Sequence, residues 1–249
     1  MGLVAFLDQS IRPAQAIRPA VSASPAYLNP FPAISLMDPA QAVAARLLSG
    51  RSGTVLDAGA GAGELSAELK KMGFTVTSCD LCPEGFSGGA CEKVDLNKPL
   101  PFSKPFDTIA CMEVIEHLEN PYHLIREFAR LTKKGSLLIL STPNIASVFS
   151  RIKFLLTGEF FLFSPAERQS GHIRPLAFWE VKEILEKNSF RLKEIHTNNY
   201  LKLCGIETGI VRKKRAMTKL VSFLLSPLLK PKNREILQGD SLIYVAERV

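Results

Sequence analysis

No stretch of this sequence is both apolar and long enough to cross a bilayer. The nearest, residues 220–229, would cover about 15 Å as a helix against a hydrocarbon core of roughly 30 Å. The opening MGLVAFLDQS lacks the basic start and apolar core of a secretory signal. Phe6 stands where an N-myristoylation motif needs Ser or Thr. Cysteine is scarce and odd in number, five residues at 79, 82, 91, 111 and 204. Cys79-x-x-Cys82 has the spacing of half a zinc site and Cys91 is near enough to join. No fourth ligand follows at a matching distance, so the pattern predicts free thiols in a reducing cytosol and a cytoplasmic protein. Internal repeats and heptads are missing too, which excludes solenoids and coiled coils.

What is present suits a globular fold. The chain has 249 residues, 46% of them hydrophobic and 22% charged, enough for one large domain with a full core. Its net charge of +7 permits an anionic partner without requiring one. Residues 1–37 are rich in Ala and Pro without steady period and read as an N-terminal arm. Asp38-Pro39 then offers an N-cap and a first-turn proline for a helix to about Leu48.

From there strands and helices alternate. Strands are expected at Thr54–Asp57, Phe74–Asp80, Cys91–Asp95, Phe106–Met112, Ser136–Ser141, Phe190–Thr197 and Leu242–Glu247. Helices are expected at Glu64–Met72, Pro121–Leu131 and Pro175–Lys187. Such alternation predicts an α/β fold with a doubly wound, mostly parallel sheet covered by helices on both faces. Two stretches break the rhythm, about 144–172 and 198–240. Insertions near the carboxyl ends of strands build substrate pockets in such folds.

The stretch TVLDAGAGAGEL (54–65) joins an apolar strand, one acid and three alternate glycines. A dinucleotide fingerprint reads G-x-G-x-x-G, whereas here Glu64 occupies the third-glycine position. No Gly-Lys-Ser/Thr follows, so a phosphate-gripping loop is excluded. Asp80 ends the second strand, where a carboxylate can accept both hydroxyls of a ribose. Asp57, just before the loop, would repel a pyrophosphate but suits an ammonium and a sulfonium. A cationic ligand with ribose and adenine and without phosphate is S-adenosylmethionine.

Further motifs follow in order: C-D-L (79–81), V-D-L-N-K-P-L-P-F (94–102) and F-D-T-I-A-C-M-E-V-I-E-H-L-E-N-P (106–121). The series resembles the class I, seven-strand S-adenosylmethionine-dependent methyltransferases over roughly 38–249. The resemblance implies a seven-stranded sheet whose last strand is antiparallel. It also implies that Gly59, Gly61 and Gly63 admit the cofactor's methionine and ribose. Asp57 would lie near its amino group, Asp80 would bind the ribose, and Leu81 would pack on adenine. Asp95 would meet the adenine amino group and Met112 would line the floor. The competing reading of Asp95 is a solvated strand end.

Methyl transfer is an in-line displacement, and a hydroxyl acceptor gains from a base. Glu113, Glu116 and His117 follow the fourth strand at i, i+3 and i+4, one face if they open a helix. Glu-x-x-Glu-His is similar to the metal-binding stretch of ubiquinone-type O-methyltransferases and of small-RNA 2′-O-methyltransferases. The latter also carry Thr-Pro-Asn and a later histidine, matched here by Thr142-Pro143-Asn144 and His172. Mg²⁺ held by Glu113, Glu116, His117 and His172 is one reading; His117 as base or orienting group, without metal, is the favoured one. His172 either reaches the pocket or caps the helix after Pro175.

Arg151, Lys153 and Arg174 stand among Phe149, Phe154, Phe160, Phe161 and Phe163, as a stacking surface or as a small lid with its own apolar core. Basic residues beside an apolar run at about 212–232 suit either peripheral membrane contact or a cover helix with solvated charges, the reading preferred. Gly171-His172-Ile173-Arg174 and the closing G-D-S-L-I-Y-V-A-E-R resemble bacterial enzymes acting on small molecules or cell-surface sugars. The expected function is methyl transfer to an oxygen, less readily a nitrogen or carbon, of a small, sugar- or lipid-linked acceptor. The alternatives are an RNA 2′-O-methyltransferase, disfavoured because no RNA-binding module is visible, and a catalytically silent cofactor-binding partner protein. The acceptor and the oligomeric state are not legible.

Overall fold

The computed structural model describes residues 37–198 and 234–249. Helix α1 (Pro39–Leu47) begins at Asp38, whose carboxylate accepts from the Ala40 amide at 2.8 Å, as the Asp-Pro pair predicts. Then follow β1 (Thr54–Ala58), α2 (Glu64–Lys71), β2 (Thr75–Asp80), β3 (Glu92–Lys93), β4 (Phe106–Cys111), α3 (Pro121–Arg130) and β5 (Thr132–Pro143). The remainder is α4 (Val148–Thr157), α5 (Pro165–Gln169), α6 (Phe178–Lys187), β6 (Phe190–Thr197) and β7 (Ser241–Arg248).

The seven strands form one sheet in the order β3-β2-β1-β4-β5-β7-β6. Every pairing is parallel except those of β7, which runs antiparallel to β5 and β6. The expected α/β sheet with its last strand reversed is therefore present. Successive residues of a strand face opposite sides, and both sides here are apolar. Leu56, Ile109 and Tyr244 pack on one side with Leu124 and Phe128 of α3 and Ile184 of α6. Val55, Ala110 and Ile243 pack on the other with Val43 and Ala44 of α1 and Leu65 and Leu69 of α2.

Three elements, β3, β5 and α6, differ from expectation by more than one residue at an end. β3 has two residues rather than five, because Asp95 turns the chain by accepting from the Asn97 amide at 3.0 Å. β5 starts four residues early, with Ser136 Oγ donating to the Phe106 carbonyl at 2.9 Å across a register shift. Helix α6 starts at Phe178 rather than Pro175, since the chain before it is tied elsewhere. The amides of Ile173 and Arg174 both donate to the Glu116 carbonyl, at 3.1 and 3.0 Å. The arm at 1–37 lies almost wholly outside the described residues, as does most of the second insertion, with Cys204 and 212–232. Cys79, Cys82, Cys91 and Cys111 are free thiols. Among the described residues no helix is long and apolar enough to cross a membrane.

Candidate functional site

In an open parallel sheet the ligand crevice lies at the carboxyl ends of the strands where the order reverses. Here the order runs outward from β1 to β2 and β3 on one side and through β4 on the other. The glycine loop leaves β1 at that point. Gly59 has φ +78, and a Cβ there would overlap the side chain of Val114. Gly63, at φ +94, caps α2 and presses on the Phe86 ring. Gly61 is different: at φ +54 it faces open space, with nothing within 4 Å of where a Cβ would stand. The outer two glycines are thus demanded by the protein's own packing, and the middle one leaves room for a ligand.

Asp80 secures the loop. Its Oδ2 accepts from the Gly61 amide at 2.9 Å and its Oδ1 from the Cys82 amide at 2.8 Å. Carboxylate oxygens retain further lone pairs after one such bond each, so Asp80 can still take hydroxyl donors. Asp57 is almost fully buried, and its Oδ2 accepts from Ser66 Oγ at 2.6 Å. Ser66 Oγ in turn lies 2.7 Å from Ser78 Oγ. Burial raises the Asp57 carboxyl from 3.8 to about 6 against the opposing Ser66 bond. Leu81 is 55% exposed beside the loop, whereas Met112 is buried. Asp95 holds the Asn97 amide and an ion pair with Lys98 at 3.3 Å, and these bonds keep its carboxyl below the ordinary range.

Beyond β4 the expected helical turn does not form. Glu113 adopts φ +55, and only Ile115–His117 makes a single 3-10 turn. The three side chains therefore do not share one face. Glu113 turns to β5: Ser141 Oγ accepts from its amide at 2.9 Å and donates to its Oε1 at 2.7 Å. Burial pushes the Glu113 carboxyl up to about 7, helped by the charges of Asp38 and Asp240 and opposed by Ser141 and Ser241.

Glu116 is fully buried, and its oxygens make no bond of full hydrogen-bonding geometry, although the Thr142 hydroxyl stands close enough to act on its carboxyl. Thr142 Oγ1 is buried without such a bond as well. Burial and the nearby Glu113 hold the Glu116 carboxyl well above the carboxylate range. His117 and His172 meet edge to face, their ring centroids 4.7 Å apart. His172 Nδ1 lies 2.8 Å from the Leu162 carbonyl. A carbonyl only accepts, so Nδ1 carries a proton and donates to it. Burial lowers the His117 pKa, and His172 lowers it further. One donor atom each from Glu116, His117 and His172 lie within 4.8 Å of one another. Glu113 is not in this group.

The first insertion supplies His172. Phe154 stacks on Phe160 with centroids 4.4 Å apart, and Phe149 meets Phe161 edge to face. The stretch thus has its own aromatic core. Lys153 donates to the Phe160 carbonyl and Arg174 to the Glu119 carbonyl. Sequence reasoning missed Ser66, Ser78 and Ser141. The first two carried no signal, and Ser141 had only its place before Thr142-Pro143-Asn144.

A family model described as a methyltransferase domain matches residues 36–195. The chain belongs to the methyltransferase domain family. Among its curated relatives is the ubiquinone biosynthesis O-methyltransferase of Xanthomonas euvesicatoria, 39% identical over 102 residues, 36% of this chain and 43% of the relative. The chain thus aligns with less than half of that methyltransferase. A S-adenosylmethionine-dependent methyltransferase from Archaeoglobus fulgidus superimposes with TM-score 0.54 at 22% identity, over 84% of this chain and 94% of its own. The N-methyltransferase NodS of Bradyrhizobium japonicum, solved with S-adenosylhomocysteine, gives TM-score 0.50 at 15% identity, over 84% and 85%. At such identities the likeness is one of fold, and the fold is that of the class I methyltransferases.

Proposed function

We propose that this protein transfers the methyl group of S-adenosylmethionine to an oxygen of a small, sugar- or lipid-linked acceptor, with residues 38–249 as one catalytic domain. The observation that carries the reading is Gly61, left-handed and open above, its amide tied to Asp80 at the sheet's reversal point. S-adenosylmethionine supplies an electrophilic methyl on a cationic sulfur. Asp80 accepts the ribose hydroxyls, and Leu81 covers the adenine, which accounts for its exposure. Asp95 meets the adenine amino group, and Met112 forms the floor. Asp57 faces the amino group directly or through water, one of its oxygens being engaged by Ser66.

On the acceptor side, a lowered pKa leaves His117 neutral near pH 7, with a lone pair to take the hydroxyl proton. His172 holds that ring edge to face, and Glu113 and Glu116 bound the same end of the crevice. Calorimetry with S-adenosylhomocysteine tests the cofactor. Screening metabolite extracts for molecules that gain a methyl mass tests the acceptor. Failure to bind S-adenosylhomocysteine, or binding of NAD in its stead, overturns the assignment. A steep loss of RNA affinity with salt would favour an RNA acceptor. A protein that binds cofactor and turns over nothing would be the silent partner.

A second reading adds a divalent cation, on the strength of Glu116, whose buried oxygens make no bond of full hydrogen-bonding geometry beside two imidazoles. One carboxylate and two histidines fit a metal. They are a nitrogen-rich set, better suited to zinc, manganese or iron than to Mg²⁺, which prefers oxygen ligands. Such an ion would polarise a substrate oxygen. Chelation by EDTA should then abolish turnover and one of these metals restore it; indifference to EDTA ends this reading.

A further inference from the structure

Helix α4 is capped and buried at its start, while its far half is held only on one side, by the Phe154–Phe160 stack and the Lys153 bond to the Phe160 carbonyl. Ser147 caps it by accepting from the Ser150 amide at 3.1 Å, and Ser150 Oγ accepts from the Phe161 amide at 3.0 Å. Val148 and Ser150 are its buried residues. Its far end carries Phe154, Leu155 and Leu156 in succession, exposed to 46%, 82% and 77%. Lone exposed leucines need no explanation, but three large apolar neighbours at a helix tip do.

The spacing identifies what could cover them. At about 100° per residue, three consecutive side chains spread over about 200° of the helix circumference. A partner helix or groove covers an apolar stripe of only about 100°. A medium apolar on all sides covers such a tip; a single protein face does not. The charge agrees: α4 contains Arg151 and Lys153 and no acid. The two acids that follow are engaged, Glu159 with Arg168 at 3.6 Å and Glu167 with Ser164. The whole chain carries +7.

We infer that the Phe154–Leu156 tip of α4 is a docking element for an anionic lipid surface, inserting its apolar side chains among the acyl chains while Arg151 meets headgroups. Because α4 belongs to the segment that delivers His172 to the candidate site, docking would set that site beside the membrane. The inference rests on exposure and charge and is independent of the cofactor.

The test is co-sedimentation of the full-length protein with phosphatidylcholine vesicles, with and without phosphatidylglycerol. Wild type should bind the anionic vesicles, and Leu155→Glu/Leu156→Glu should weaken that binding more than about tenfold, since each leucine's burial is worth at least that. Arg151→Gln should cost a smaller factor that vanishes at high salt. The leucine positions are exposed, so an unchanged melting temperature should accompany the loss. A wild type that ignores anionic vesicles overturns the inference. So does a double variant that binds them as wild type does, which would move docking to another segment such as 212–232. A wild-type dimer that the variant converts to monomer would assign the tip to a second copy, and likewise overturns it.

Discussion

The two sides of the crevice are built in opposite ways. On the β1–β2 side, nearly every polar group is engaged: Asp80 holds two amides, and Ser66 links Asp57 to Ser78. On the β4–β5 side, Glu116 and Thr142 are buried close together with no bond of full hydrogen-bonding geometry, and Glu113 sits in a left-handed conformation between acids. Buried polar groups normally find partners, and the exceptions gather where chemistry is done. On the proposed reading, the first side holds the cofactor and the second side reacts. Each can be broken separately.

His117→Ala tests the reacting side. Turnover should fall by about 10²–10⁴, the usual range for loss of a general base, while affinity for S-adenosylhomocysteine stays within about twofold. Calorimetry beside a labelled-methyl assay reads both; equal loss of the two would make the histidine structural. Asp80→Ala tests the holding side. Hydrogen bonds to a charged group are worth about 1.5–3 kcal/mol, so affinity should drop roughly a hundredfold or more. Near-normal affinity would refute the placement of the ribose.

The same division governs what the sequence could disclose. The holding side comes from two short segments, 54–65 and 79–82, whose spacing is local. The motif therefore named Gly61 and Asp80 directly. The reacting side depends on contacts between distant segments: Ser141 on Glu113, Leu162 on His172, and the Glu116 carbonyl on 173–174. A helical periodicity placed Glu113 with Glu116, yet one residue at φ +55 separates them. The strands were legible because both faces of the sheet are apolar, whereas their spatial order is set by pairings between distant segments. The length of β3 was not legible, because an Asp turn overrides a two-residue pairing.

The glycines sharpen the comparison further. Gly59→Ala meets both Val114 and an unfavourable φ, so it should destabilise the fold by about 2–4 kcal/mol in denaturant unfolding. Gly61→Ala meets only the φ cost, about 1 kcal/mol, but should weaken cofactor binding at least tenfold by filling the open space. Equal stability losses without an affinity difference would remove Gly61 from the ligand's path.

The smallest effect concerns charge within the holding side. Asp57 titrates at 3.8 when exposed and at about 6 in the fold, chiefly through burial. Below the lower value it is protonated in both states and costs nothing. Between the two values the unfolded chain releases its proton first, so stability falls as pH rises, and above about 6 the loss is complete. Two units correspond to at most about 3 kcal/mol, and about 1–2 after structural relaxation. Asp57→Asn keeps an oxygen for Ser66 and removes the titration. It should therefore flatten the decline in unfolding free energy between pH 4 and pH 6.5 relative to wild type. A parallel slope in both proteins would mean that Asp57 is ionised throughout. The holding side would then already carry the negative charge that a sulfonium nucleoside needs, before any ligand arrives.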